Sequence, residues 1–205
     1  MSEIELAVGG LVPFTTLDFP GRLACVIFCQ GCPWRCTYCH NPHLLPRQPG
    51  SLPWADLLTW LERRRGLLDG VVFSGGEPLI QPGLAAALRQ VRTMGFATAL
   101  HTAGANPRKL ATVLPLLDWV GFDIKAPFKD YARIVGYRGG TAARTALQIL
   151  TASQVAHEIR LTLSPELSAT TLERVHTELA SLTHSSLKIQ TCRLPEPNGT
   201  IRIAP

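Results

Sequence analysis

A chain of 205 residues with 46% hydrophobic and 17% charged positions reads as one globular domain, 1–205, with a core of ordinary size. It has no run of about eighteen uncharged apolar residues, and its start, MSEIELAVGG, is acidic where a secretory leader is basic, so membrane spanning and secretion are disfavoured and a cytoplasmic location is expected. The formal net charge of +5 permits an acidic partner, but the one dense basic run, Arg63-Arg64-Arg65, ends a predicted helix, where cations complement the helix dipole, and nucleic-acid binding is not inferred.

The N-terminal segment 1–21 closes on Thr15-Thr16-Leu17-Asp18-Phe19-Pro20-Gly21, with a turn at Pro20-Gly21 that Asp18 can cap. From there, short runs rich in Val, Ile and Phe alternate with segments of helical period, the pattern of successive βα units and a parallel sheet. The first strand, 23–29, carries Cys25 and Cys29 at i, i+4, hence on one face, where they read as small buried hydrophobes. Directly after it stands C-P-W-R-C-T-Y-C-H-N-P, in which Cys32, Cys36 and Cys39 form a C-x3-C-x2-C triplet with Tyr38 before the last cysteine and His40-Asn41 after it. Five of the six cysteines fall between positions 25 and 39, which fits metal binding in a reducing compartment better than a disulfide framework. Three thiolates leave one iron of a four-iron cluster open to a further ligand; the alternative is a zinc knuckle closed by Cys29 as fourth ligand.

A Pro-rich surface connection, 42–53, leads to a helix over 53–65 with Leu57, Leu58 and Leu61 on one face. The second strand, 71–74, runs into Ser74-Gly75-Gly76-Glu77-Pro78, whose glycines let backbone groups approach a small ligand or simply make a turn. A helix over 83–94 precedes the third strand, 97–102, which ends in His101-Thr102, and a helix over 107–117 precedes the fourth, 119–125. In that strand, alternation puts Asp123 and Lys125 on the same inward side, as an ion pair or as ligand contacts. A helix over 142–152, a fifth strand over 158–163 containing Arg160, a helix over 170–182, a sixth strand over 187–191 and a tail, 196–205, complete the chain; Cys192 reads as another small buried hydrophobe. Eight βα units in roughly 250 residues close a full barrel. Six units over 22–195 therefore predict an α/β fold, an incomplete (βα)6 barrel with a mostly parallel sheet. Its open side could admit a protein segment, and the cysteine loop falls at the carboxyl end of the sheet, where barrel enzymes build their sites.

The cysteine triplet resembles that of the radical S-adenosylmethionine (SAM) superfamily, and Gly-Gly-Glu-Pro after the second strand matches that superfamily's motif for the methionine amino group. C-H-N-P and T-x-x-D-x-P-G further resemble the activating enzymes of glycyl-radical proteins, most of all the short activators of anaerobic ribonucleoside-triphosphate reductase; the resemblance spans 11–195. It implies one 4Fe-4S cluster on Cys32, Cys36 and Cys39, and SAM bordered by Tyr38, His40, Gly75, Gly76, Glu77, Asp123, Lys125 and Arg160, with Asp18 and Asn41 along a groove for the substrate protein. His101 stands where activases often carry aspartate, so the resemblance does not extend to their monovalent-cation site. The implied chemistry is that of an oxidoreductase: an electron from a donor such as flavodoxin or ferredoxin cleaves SAM to methionine and a 5′-deoxyadenosyl radical, which takes a hydrogen from a glycine Cα of the partner. Such chemistry requires no side-chain acid, base or nucleophile. The competing readings are activation of a formate-lyase type enzyme, a small-molecule radical SAM reaction and, from another class, a non-catalytic iron–sulfur or zinc module.

Overall fold

The structure, a computed structural model, describes residues 4–195 and 201–203. Strand β1, Val8–Thr15, runs antiparallel to β2, Ala24–Cys29. Parallel strands β3 Gly70–Gly75, β4 Ala97–Thr102, β5 Trp119–Ile124, β6 Ala156–Leu163 and β7 Leu187–Thr191 follow, and spatial order is chain order. The six predicted strands are β2 to β7. The seventh lies in the N-terminal segment, where Gly9, Gly10 and Pro13 disguise it; an edge strand tolerates such residues because only one side must pair.

The helices are α1 Trp54–Glu62, α2 Leu84–Thr93, α3 Pro107–Val113, α4 Tyr131–Val135, α5 Gly140–Thr151 and α6 Ala169–Ala180. Helix α3 starts under an Asn106 cap, its side chain accepting from Lys109 N, and stops short of the predicted end because Pro115 forces a 3-10 turn over Leu114–Leu116. The five-residue α4 was not predicted. It is stopped by Gly136 in the left-handed region at φ 68°. After β7 the chain passes into an antiparallel pair, β8 Arg193–Pro195 with β9 Ile201–Ile203. Positions 196–200 and 204–205 of the expected tail lie outside the described residues. No helix among the described residues is long and apolar enough to cross a membrane.

Alternation along the strands divides the protein into an outer core and a barrel interior. Cys25, Ile27 and Cys29 of β2 face outward with Val71, Phe73 and Leu100, meeting Leu57 and Leu61 of α1 and Leu84, Leu88 and Val91 of α2. Ala24 and Val26 face inward with Val72, Ala99 and Trp119. This inner layer is plugged by Phe19, whose ring stacks on Trp119 at 6.2 Å between centroids. Thr15 pairs with Ala24, so the 16–22 turn lies at the base of the parallel strands, and Phe19 fills the space that a side chain at Gly70 would need. The base of the barrel is thus apolar and closed by the turn, and polar side chains begin one layer higher.

Candidate active site

The loop after β2 is held by backbone bonds on two sides. Gly31 and Cys32 donate to Leu44 and Leu45, while Arg35 and Thr37 donate to Val135 and Ile134 of α4. Trp34 packs edge-on against Tyr131 at 5.7 Å. Cys32, Trp34, Tyr38 and Tyr131 belong to one apolar cluster, which also contains Cys192. Cys192 is therefore buried as expected, but beside the cysteine loop rather than in the main core.

Burial pushes the Cys32 thiol up to about 12, with Glu77, Cys36 and Cys39 reinforcing the shift. Cys36 is raised by burial as well, although Lys125 pulls the other way. Burial without a cation keeps these two thiols protonated; coordination to a metal centre is what deprotonates such groups. Among the described residues no three His, Cys, Asp or Glu side chains are gathered closely enough to hold a single ion. The fit of a cluster rests instead on the donor set: three thiols on one loop, next to Tyr38, whose hydroxyl is buried without a hydrogen-bond partner.

The same C-x3-C-x2-C spacing also occurs across Cys25, Cys29 and Cys32. Within β2 the first two lie about 13 Å apart along the strand, both fully buried in the outer core. They do not turn toward the loop. That placement also removes Cys29 as a fourth ligand of a zinc knuckle.

Gly75 and Gly76 lie against this loop. Gly75 has φ 107°, and a Cβ there would stand 2.5 Å from Cys29 N; at Gly76 it would stand 2.2 Å from the Gly31 carbonyl. Gly76 N donates to Cys29 O and Glu77 N to Gly31 O. The close approach that two glycines announce is thus to the chain's own backbone. Glu77 turns inward: Oε1 accepts from Leu79 N at 3.0 Å and Thr102 Oγ1 at 2.7 Å, and Oε2 accepts from Ala103 N at 3.1 Å. The carboxylate thereby ties the turn to the end of β4.

Asp123 and Lys125 point inward as alternation requires, and they pair at 3.4 Å. Arg160, from the neighbouring β6, joins them with Nε 2.8 Å from Asp123 Oδ1. Its guanidinium lies where a side chain at Gly121 would be, 2.7 Å from that Cβ position. Lys125 reaches over the Tyr38 ring at 5.8 Å, and its backbone N–H donates to Tyr131 Oη. The cysteine loop, α4 and the ends of β5 and β6 therefore meet at one place. Asp18 has its carboxylate bound within its own turn by Thr15 Oγ1 at 2.6 Å. Asn41 is half-buried at the start of a 3-10 turn, Pro42–Leu44, and His40 lies exposed on the loop.

Burial alone would raise the Asp123 carboxyl, but Lys125 and Arg160 outweigh it and hold it down at about 2. This value lies below the ordinary 3.8, so the ionised form stabilises the fold above about pH 4, and that contribution is lost as pH falls through 2. Asp123→Asn is expected to lower the unfolding free energy at neutral pH by about 2 kcal/mol or more. The gap from wild type should narrow between pH 4 and 2. Urea titrations of the metal-free protein read both; a gap independent of pH would mean that the charge of Asp123 does not matter to the fold.

Sequence reading named Ser74 within the glycine segment and His101 at the end of its strand, but it missed α4 and the contact between those two side chains. Tyr131 and the rest of α4 wall the cysteine loop, and Ser74 and His101 complete the inner polar layer, with Ser74 Oγ 3.5 Å from His101 Nδ1. A groove of about 640 Å³ between α1 and α2 contains none of these residues.

The family model of the radical SAM superfamily matches residues 26–178, which takes in the loop, the glycine turn and the ion triad. The chain belongs to the radical SAM superfamily, whose members use a 4Fe-4S cluster and SAM. It is 37% identical over 129 residues to the pyruvate formate-lyase-activating enzyme of Clostridium pasteurianum, covering 60% of this chain and 54% of that one. A Methanocaldococcus jannaschii protein provisionally named a glycyl-radical enzyme activating enzyme is 28% identical over 138 residues, with 66% and 57% covered. The chain thus spans little more than half the length of these relatives. In fold it is similar to Streptococcus suis SuiB bound to S-adenosylmethionine (TM-score 0.65, 13% identity, 86% of this chain and 42% of that one). Escherichia coli QueE is also similar (TM-score 0.52, 18% identity), with 90% and 93% covered.

Proposed function

We propose that this protein is a glycyl-radical-enzyme activase whose partner is anaerobic ribonucleoside-triphosphate reductase. The observation that supports the radical chemistry is the meeting, at the carboxyl end of a partial barrel, of a three-cysteine loop, a Gly-Gly turn and an inward Asp123–Lys125–Arg160 triad; the choice of partner rests on the resemblance of Cys39-His40-Asn41-Pro42 and of Thr15 to Gly21. Cys32, Cys36 and Cys39 would hold the cluster, and Tyr38, Lys125 and Arg160 would border SAM. When bound, the cluster and SAM supply the one-electron cleavage that removes a hydrogen from the partner's glycine. The chain's own residues bind and orient. The orphaned Tyr38 hydroxyl offers a hydrogen bond, the triad offers both signs of charge to an amino acid moiety, and the buried aromatic wall of Trp34 and Tyr131 excludes water. Asp18 and Asn41 would border the substrate protein, and flavodoxin or ferredoxin would deliver the electron.

The similarity to the clostridial formate-lyase activator supports a second reading, in which the partner is of the formate-lyase type. Anaerobically reconstituted protein, a strong reductant and SAM should be offered each partner in turn, with the glycyl radical followed by electron paramagnetic resonance. A radical on the ribonucleotide reductase is expected, and Asp18→Ala should lower its yield more than it lowers uncoupled SAM cleavage. A radical on the formate-lyase type enzyme alone replaces the partner, and SAM cleavage with no radical on either ends the activase reading.

A further inference from the structure

The end of β4 carries a histidine that joins the turn at the barrel base to the polar layer above it. His101 Nε2 lies 2.9 Å from the carbonyl oxygen of Asp18, eighty-three positions away in the chain, and Nδ1 lies 3.5 Å from Ser74 Oγ. A carbonyl only accepts, so Nε2 carries the proton, and bare Nδ1 faces the Ser74 hydroxyl as acceptor. Arg160 Nη1 stands 3.5 Å from Nε2; both are donors there, so they do not hydrogen-bond, and the guanidinium charge disfavours protonation of the ring. Burial and that guanidinium hold the imidazole down at about 4, which keeps it neutral with a single N–H to direct. The ring packs edge-on against Trp119 at 5.6 Å, and Trp119 stacks on Phe19 of the same turn.

We propose that His101 is a positioning residue that fixes the 16–22 turn as the floor of the barrel interior, setting how deep a substrate segment reaches beneath the SAM-side polar layer. Two tethers hold the turn from within: the Phe19 ring, by stacking, and the Asp18 carbonyl, by hydrogen bond to His101. Only the second also touches the layer containing Ser74 and Arg160, so His101 relates the height of the floor to the Gly75-Gly76 turn and the ion triad. The proposal rests on the activase reading for its use, though not for its geometry.

The test compares His101→Leu, which removes the donor, with His101→Gln, whose amide nitrogen restores one near the Nε2 position, in reconstituted protein. Hydrogen exchange over 15–22, where Leu17 N–H donates to Thr15 Oγ1 and Arg22 N–H to the Phe19 carbonyl, should quicken about tenfold in His101→Leu and stay within about twofold of wild type in His101→Gln. Glycyl radicals formed per SAM cleaved should fall severalfold in His101→Leu and recover in His101→Gln, with the signal of the SAM-bound cluster unchanged in both. Wild-type exchange in His101→Leu overturns the proposal. So does exchange in His101→Gln as fast as in His101→Leu, and so does an altered SAM-bound signal in both variants with exchange unchanged, which would assign His101 to the cofactor pocket. Should His101→Leu lose its cluster altogether, the exchange comparison is made on the metal-free proteins, and the same outcomes decide. A wild-type protein that makes no radical on any partner defeats the activase reading, and the exchange measurement then judges His101 by itself.

Discussion

Cys36→Ala and Cys39→Ala are expected to reduce the reconstituted protein from about one four-iron cluster to none, while Cys25→Ala and Cys29→Ala keep it. These four substitutions separate two overlapping copies of the same spacing, because Cys32 belongs to both and its loss alone cannot distinguish them. Cys25 and Cys29 lie on the helix-facing side of β2, fully buried among Leu and Phe side chains. Truncating either removes one buried sulfur and costs roughly 1 kcal/mol of stability. Cys36 and Cys39 are half-buried on a loop whose only internal backbone tie between them is Cys39 N to Cys36 O. Losing one leaves two anchors for a cluster that needs three. Iron and sulfide analysis of the six single cysteine variants reads the result, with Cys32→Ala expected to lose iron and Cys192→Ala to retain it. Retention in Cys36→Ala with loss in Cys29→Ala would move the ligand set into the strand and defeat the loop assignment.

Glu77→Ala is expected to cost about 4 kcal/mol of unfolding free energy, and Glu77→Gln about 2 kcal/mol. The carboxylate is 2% exposed and satisfies three donors, Leu79 N–H, Thr102 O–H and Ala103 N–H, which alanine would leave buried without an acceptor. Glutamine keeps an acceptor for the first two but turns an NH2 group against Ala103 N–H, so two donors face each other. Burial raises the Glu77 carboxyl despite these donors, and the amide costs less than deletion because its oxygen still accepts from Leu79 N–H and Thr102 O–H. Urea unfolding at neutral pH gives the ranking. If Glu77→Ala matched wild-type stability within 1 kcal/mol while SAM binding vanished, the carboxylate would belong to the ligand and not to the turn.

Strands β2 to β5 were legible because each is a short, mostly buried apolar run covered on both faces, whereas β6 and β7 carry polar residues, β7 is largely exposed, and their place in the βα alternation marked them. β1 was not legible, since Gly9, Gly10 and Pro13 weaken every strand signal and only edge placement makes them acceptable. Helix α4 was hidden for a different reason: five residues are too few to display a helical period, and its existence depends on capping by Gly136 and packing under the cysteine loop. Within the site, the inward register of Asp123 and Lys125 followed from alternation alone. The position of the Arg160 guanidinium did not, because it depends on the missing side chain at Gly121 one strand away. The direction of the Glu77 carboxylate was equally hidden, being set by donors at Thr102 and Ala103 that lie far along the chain.

Because spatial strand order follows chain order, each strand can dock on its predecessor as synthesis proceeds, with no early strand waiting for a distant partner. The cysteine loop is made early, whereas its walls, Tyr131, Ile134, Val135 and Cys192, come from the second half of the chain. During elongation the nascent chain therefore presents Cys32, Cys36 and Cys39 to the surroundings over the time needed to add about a hundred more residues for α4 and about 150 for Cys192, on the order of ten seconds at ribosomal speed. Oxidation of those thiols is a hazard of biogenesis before it is a hazard of the finished protein.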